Sequence, residues 1–248
     1  MNAREYKALF ELEDHFWWFR GMRKITAAML DPLVERGKQV ILDAGCGTGF
    51  SLHWLRRYAP SGEVVGLDFS KEALDFTRRR GEKLLTQGSV TRLPFLSNTF
   101  DLVVSFEVLD SLSPELASAA FAELVRVLKP HGLLFIRLPA FQSLYSGHDR
   151  AVSTVHRYTR KELERCLNNQ GLELMRLTYA NALLLPGALV WRFVRRKPRS
   201  DVRPLPKSFR WMNSWLERVL ALEAMWLRRP HWSLPVGLSV IGIGRKIS

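Results

Sequence analysis

The chain has 248 residues, 47% of them hydrophobic, enough to bury a full core as one large domain or as one domain with an elaboration. Its two cysteines, Cys46 and Cys166, form no C-x-x-C pair and exclude a disulfide framework, so a reducing, cytoplasmic setting is expected. Thirty-seven Lys and Arg against 24 Asp and Glu leave a net charge of +13, which suits nucleic acid, an anionic membrane or an acidic substrate and does not choose among them.

The opening MNAREYKALFELEDH is charged from its fourth residue and lacks the apolar core of a signal peptide. Residues 4–31 read as helix: Leu9, Leu12, Phe16, Phe19 and Arg23 recur at helical spacing, and Pro32 marks the break. QVILDAG, 39–45, is an apolar strand entering a glycine turn, and helical periodicity returns over 49–58. A second strand, EVVGLDF, precedes the helix SKEALDFTRRR, which Ser70 can cap. A short strand is predicted near 83–87, a strong one over 100–109, a helix over 114–128 and a buried strand in LLFIRLPA. Thr159 and Glu162 have capping-box spacing before a helix that Gly171 stops, and LELMRLTYA returns as strand.

This alternation predicts an α/β fold, a doubly wound, mostly parallel seven-stranded sheet with helices on both faces and an antiparallel last strand over 236–246. Four units follow from it. They are an aromatic-rich helical cap (1–34), a core (35–180), a basic, Trp-rich helical insertion (181–234) and the final strand (235–248). The insertion contains ALLLPGALVWRFV, too short and too broken by Pro186 and Gly187 to cross a bilayer. Its basic stretch, 192–210, is flanked by tryptophans at 191, 211, 215, 226 and 232, a mixture suited to peripheral contact with a membrane or to a solvated surface over packed helices.

In an open α/β sheet, ligands bind beyond the carboxyl ends of the strands. The first strand ends in LDAGCGTGF, where Gly45, Gly47 and Gly49 permit a tight turn and close backbone approach. Asp68 ends the second strand 25 residues after Asp43, placed to accept both hydrogens of a ribose diol. The glycine spacing departs from the dinucleotide fingerprint, and no G-K-[ST] follows to make a P-loop.

ILDAGCGTG, VVGLDFS, LPFLSNTFDLVVSFEVL and LVRVLKPHGLLFI, in that order, resemble the class I S-adenosylmethionine-dependent methyltransferases, in particular the methyltransferase type 11 group, over roughly residues 35–180. The resemblance implies S-adenosylmethionine as cofactor. It implies that Asp43 and the backbone of Gly45, Cys46, Gly47 and Gly49 hold the methionine part, that Asp68 takes the ribose hydroxyls, and that Phe69 lies beside the adenine. Ser89 and Val90 stand where relatives carry G-D-A, so one adenine contact passes to backbone. Glu107 begins the segment that passes under the cofactor. Asp110 and Ser111 replace a histidine common in relatives, which removes one candidate base. In the opening EDHFWWFRGMR, Arg20 or Arg23 is placed to reach the cofactor carboxylate, although a core or dimer contact is an equal reading.

The acceptor pocket is expected from the N-terminal helix, the loop after 107, the loop after the strand ending near 139, and the insertion. SGHDRAVSTVHRYTR, 146–160, falls in the third of these, which makes His148 and His156 candidate bases and Tyr158 a candidate hydrogen-bonding group. Structural pairing of these residues is the competing reading, and a zinc site lacks a fourth ligand and a suitable spacing. The expected activity is methyl transfer to a small, apolar or lipid-like acceptor. Nucleic acid ranks second, because N-P-P-[FY] and a P-C motif are absent. An RNA or protein methyltransferase and a catalytically weak scaffold are the alternatives, and oligomeric state is left open.

Overall fold

The computed structural model describes residues 3–194 and 210–247. The stretch 195–209, which holds most of the basic segment, lies outside them, as do the side chains of His148, Trp191 and Trp211. Two helices open the chain, α1 (Ala3–Leu12) and α2 (Trp17–Leu30), followed by β1 (Val40–Ala44), α3 (Phe50–Leu55), β2 (Glu63–Asp68), α4 (Lys71–Arg79) and β3 (Leu85–Gln87). Next come β4 (Phe100–Phe106), α5 (Pro114–Arg126), β5 (Leu128–Pro139), the short α6 (Gly147–Ala151), α7 (Arg160–Asn169) and β6 (Leu172–Ala180). The chain finishes with α8 (Leu185–Val194), α9 (Arg210–Leu227) and β7 (Ser239–Lys246).

The seven strands form one sheet in the order β3-β2-β1-β4-β5-β7-β6. All pairs are parallel except those of β7, which runs antiparallel to both β5 and β6, as the sequence predicts. Strands buried on both faces explain the continuous apolar runs of ILDA, LVVSF and LLFI. On one face, Met22, Ile25 and Met29 of α2, Leu52 and Leu55 of α3, and Leu220, Ala224 and Leu227 of α9 pack on Ile41, Val104 and Phe135. On the other, Phe121 and Leu124 of α5 and Leu163 and Leu167 of α7 pack on Leu42, Val103 and Leu134.

Local signals formed where they were read. Ser70 Oγ accepts from Ala73 N–H at 3.2 Å, and the Thr159–Glu162 capping box closes in both directions. Three expectations need adjusting. The single helix over 4–31 divides at 13–16, because Glu13 turns inward to Thr48 and Arg80, and a new helix starts at Trp17. Phe16 supplies no side-chain cap there; Asn213 of α9 accepts from Trp17 N–H at 2.8 Å and donates to His15 O at 2.8 Å. The strand over 100–109 ends at Phe106, since Glu107 takes a φ of 58°, and the strand predicted from 133 begins at Leu128.

The approach of α2 to α9 depends on Gly21. A Cβ at this position would fall inside the side chain of Leu220. Glu217 fastens the same seam, 2.7 Å from Lys24 Nζ and 3.3 Å from Arg20 Nε. Glu223, buried on the same helix, accepts from the backbone of Asn181, Ala182 and Leu183 where the chain leaves β6. Among the described residues no helix is long and apolar enough to cross a membrane.

Candidate functional site

The carboxyl ends of β1, β2 and β4 lie side by side, with Asp43 registered against Gly66 and Val104. Beyond β1 the turn runs through Gly45, Gly47 and Gly49, at φ of 92°, 55° and 85°. These are left-handed angles that side chains other than Asn or Asp rarely adopt. A Cβ on Gly45 would strike Val108, and one on Gly49 would lie 2.6 Å from Thr77. A Cβ on Gly47 would meet nothing within 4 Å, so the turn has one open side.

Asp68 supports this turn. Its Oδ2 accepts from Gly47 N–H at 2.8 Å and its Oδ1 from Ser70 N–H at 2.9 Å, and each oxygen keeps a lone pair for another donor. Burial raises its carboxyl above the usual range, against the pull of those amide hydrogen bonds. Phe69 beside it is 78% exposed, a large apolar ring offered to solvent at the rim. Ser89 Oγ is 2.7 Å from Thr91 Oγ1, while the Val90 side chain is buried in the core, so this position offers backbone. The Cys46 side chain is likewise core, and only its backbone borders the turn.

Asp43 is fully buried. Its Oδ2 accepts from Ser51 Oγ, and its Oδ1 has no partner. Burial, reinforced by the charge of Asp68, pushes this carboxyl up to about 7, against the Ser51 hydrogen bond and the charge of Arg137. A buried acceptor without a donor is costly unless a ligand supplies one.

The N-terminal helices are tied to the turn through Arg80, a link that the sequence did not reveal. Arg80 donates to Thr48 O at 2.8 Å and Phe10 O at 3.0 Å, and it pairs with Glu13 and Asp14 at 3.2 and 2.7 Å. Burial raises the Glu13 carboxyl to about 7, with the Thr48 hydrogen bond and the Arg80 charge opposing it. Tyr6 reaches the side chain of Ser70 near Asp68. Glu13 had no local signature, since its partners lie 35 and 67 residues away.

Arg20, a candidate for the cofactor carboxylate, turns to Glu217 of α9. Arg23, one helical turn on, lines a cavity beside Asp43 of about 40 Å³, bounded also by Phe19, Thr26, Ser51, Trp54 and Arg137. Glu107 lies at the mouth of β4, with its Oε1 3.3 Å from Arg137 Nε. Arg137 could have been noticed as the lone charge in the otherwise apolar stretch LLFIRLPA.

The segment 146–158 is held mainly by its own polar groups. Asp149 and Arg157 form a buried pair at 2.7 Å; Asp149 also accepts from Ser146, and Arg157 donates to Ala140 O at 2.9 Å. Asp110 anchors the segment from outside, accepting from Thr154 Oγ1 at 2.8 Å, Val155 N–H at 2.7 Å and His156 N–H at 3.0 Å. His156 lies 3.4 Å from Glu162 and edge-on to Tyr158. His156 and Tyr158 line a groove of about 350 Å³ between α5 and α7, and neither borders the cavity beside Asp43. The structure therefore brings together Asp43, Asp68 and the three glycines, and it sets His156 and Tyr158 apart on the other helix layer. The backbone of His148 lies in α6.

Residues 42–136 match the family model of a methyltransferase domain, Methyltransf_11. The chain is 33% identical over 172 residues to an uncharacterised 37.1 kDa protein in a transposon of Streptomyces fradiae, covering 66% of this chain and 49% of the relative. It is 30% identical over 158 residues to a demethylmenaquinone methyltransferase of Staphylococcus aureus, covering 59% of this chain and 62% of the enzyme. The chain thus spans about half to three-fifths of the length of these relatives. In structure it resembles the geranyl diphosphate C-methyltransferase of Streptomyces coelicolor, with a TM-score of 0.59 at 17% identity, covering 89% of this chain and 78% of that one. That protein was solved with geranyl diphosphate, Mg2+ and S-adenosyl-L-homocysteine. The residues here fit S-adenosylmethionine, the cofactor of this fold: an open-sided turn over Gly47, an unpartnered buried acceptor on Asp43, a carboxylate with spare lone pairs on Asp68, and an exposed ring at Phe69.

Proposed function

We propose that this chain, which has the domain and the fold of the class I S-adenosylmethionine-dependent methyltransferases, moves a methyl group to a small, largely apolar acceptor. The observation that carries this reading is the unpartnered Oδ1 of fully buried Asp43, on the strand that enters the Gly45–Gly49 turn. In this reading Asp43 and the backbone of residues 45–49 would hold the methionine part. Asp68 would take the ribose hydroxyls, Phe69 would cover the adenine, and backbone near Ser89 and Val90 would read its edge. When bound, the cofactor supplies an electrophilic methyl on a sulfonium, so the protein's task is alignment and exclusion of water. The helices α1 and α2 and the aromatic walls of Phe19, Trp54 and Phe106 serve exclusion. No general base is required if the acceptor is already ionised.

Calorimetry tests the cofactor half. S-adenosylhomocysteine is expected to bind in the micromolar range, and Asp68→Ala to weaken it by about 10- to 100-fold, the value of a hydrogen bond to a charged group. Absence of binding to the folded wild type would defeat the reading.

A second element of the proposal concerns where the acceptor is met. The outer face of α9 exposes Trp215, Leu222, Met225 and Trp226 beside Arg218, while its inner face holds Leu220 and Ala224 against α2. Aromatic and basic side chains on one helical face suit the surface of an anionic bilayer. Sedimentation with phosphatidylglycerol vesicles should retain the protein. Phosphatidylcholine vesicles, and a Trp215→Ser/Trp226→Ser variant, should not. Equal retention in all cases would remove this part.

A further inference from the structure

The strand ends present a row of groups along the carboxyl edge of the sheet. Asp68 stands on β2, Asp43 on β1, Phe106 at the end of β4, and Arg137 on β5, in register with Phe106. In the reading above, the cofactor occupies the β2 and β1 positions. Arg137 lies two strands beyond Asp43, on the side left for the acceptor.

Arg137 is 8% exposed, yet its guanidinium donates no hydrogen bond among the described residues. Its Nε sits at ion-pair distance from Glu107, 3.3 Å, without hydrogen-bond alignment. Phe106 and Trp18 hold the group in place, their ring centres 4.8 and 5.4 Å from Cζ. A buried cation with unused donors is costly, whereas a planar guanidinium matches the paired oxygens of a carboxylate or phosphate.

Two more groups in the same cavity point the same way. Thr26 is fully buried, and its Oγ1 has no partner. Arg23 lies 5.5 Å over the Phe50 ring and pairs with no carboxylate among the described residues. The space they share, about 40 Å³, suits a single oxyanion group rather than a whole acceptor, and the remaining walls are aromatic apart from Ser51, whose hydroxyl is given to Asp43.

We propose that Arg137, with Thr26 and Arg23 around it, anchors a carboxylate or phosphate carried by the methyl acceptor, and so selects apolar acceptors that bear an anionic group. The proposal rests on the methyltransferase reading. Its test uses the full chain saturated with S-adenosylhomocysteine and three calorimetric probes: octanoate, octyl phosphate and, as the neutral match, 1-octanol. At least one anion is expected to bind about ten-fold or more tightly than octanol. Arg137→Met should erase that difference and Arg137→Lys should keep part of it. The same Arg137→Met variant should bind S-adenosylhomocysteine and methylthioadenosine, which lacks the amino-acid part, within about two-fold of wild type.

Anions that bind no better than octanol would overturn the proposal. So would a variant that loses S-adenosylhomocysteine while keeping methylthioadenosine, because Arg137 would then hold the cofactor's own carboxylate. If Arg137→Met does not fold, the wild-type contrast between anion and octanol still decides. Failure of wild type to bind either nucleoside strikes the methyltransferase reading instead, and the same contrast on the unliganded chain then decides the cavity's preference.

Discussion

Replacing Asp149 by Asn tests whether the segment 146–158 is an ordered element or a loop free to serve chemistry. The side chains of Asp149 and Arg157 are 2% and 6% exposed and meet at 2.7 Å. Asp149 also accepts from Ser146 N–H at 2.6 Å and from Ser146 Oγ at 2.9 Å. Neutralising one member leaves the Arg157 cation buried and uncompensated, which costs about 3–5 kcal/mol. A total stability of about 5–15 kcal/mol makes that a large share. At about 2–4 °C per kcal/mol for a chain of this size, the melting temperature should fall by roughly 6–20 °C.

The pH dependence adds a second reading of the same pair. Burial alone would raise the Asp149 carboxyl, but the hydrogen bond and charge of Arg157, with the Ser146 contacts, leave it below the usual range. A depressed carboxyl contributes stability above its unfolded pKa of about 3.9, and that stability is lost as pH falls through the lower folded value. Differential scanning calorimetry at pH 7 should therefore show the full deficit of Asp149→Asn, and the deficit should shrink below about pH 4. An Asp149→Asn/Arg157→Met double variant should recover part of the loss. A melting temperature within about 2 °C of wild type for Asp149→Asn would refute the reasoning, for the pair would then be worth no more than a surface ion pair.

Two further outcomes follow from other parts of the molecule. Asp43 carries a carboxyl raised by burial to about 7, so its contribution to stability is present below its unfolded value, near 3.9, and is lost as pH rises through 7. The unliganded chain should accordingly lose stability between pH 5 and pH 8. Cationic S-adenosylmethionine should raise the melting temperature more at the upper end, while S-adenosylhomocysteine, whose sulfur is uncharged, should gain less, as a thermal shift series with both ligands would show. At the helix seam, Gly21→Ala should cost about 1–3 kcal/mol by overpacking against Leu220, and adding Leu220→Ala should lessen the penalty, measured by urea unfolding.

Whatever depends on neighbours in sequence was legible from the sequence. The three glycines need left-handed angles within one turn, Ser70 caps a helix three residues on, and Thr159 with Glu162 closes a capping box across the same distance. Alternating apolar runs specified a parallel sheet, because only strands covered on both faces are apolar throughout. Segments whose partners lie far along the chain were read less well. The helix expected over 4–31 divides because its break is stabilised by Arg80 and its second start is capped by Asn213. The segment around His148 and His156 is a different case: its Asp149 and Arg157, eight residues apart, make the structural pairing that was the competing reading, and only packing decided that His156 opens onto a different groove.

The sequence by itself determined the order of the strands' chemistry, with Asp43 and Asp68 at the ends of neighbouring strands and a glycine turn between them, since each is set by local backbone geometry. Only the tertiary structure decided which charges face the site. Arg20 and Arg23 are three residues apart on one helix, yet one meets Glu217 and the other lines the cavity beside Asp43. Arg137 is one charge in the apolar run LLFIRLPA until β4 places Phe106 and Glu107 beside it and α2 lays Trp18 across it. An ion's role depends on the partners and the dielectric around it, and those come from packing between distant segments.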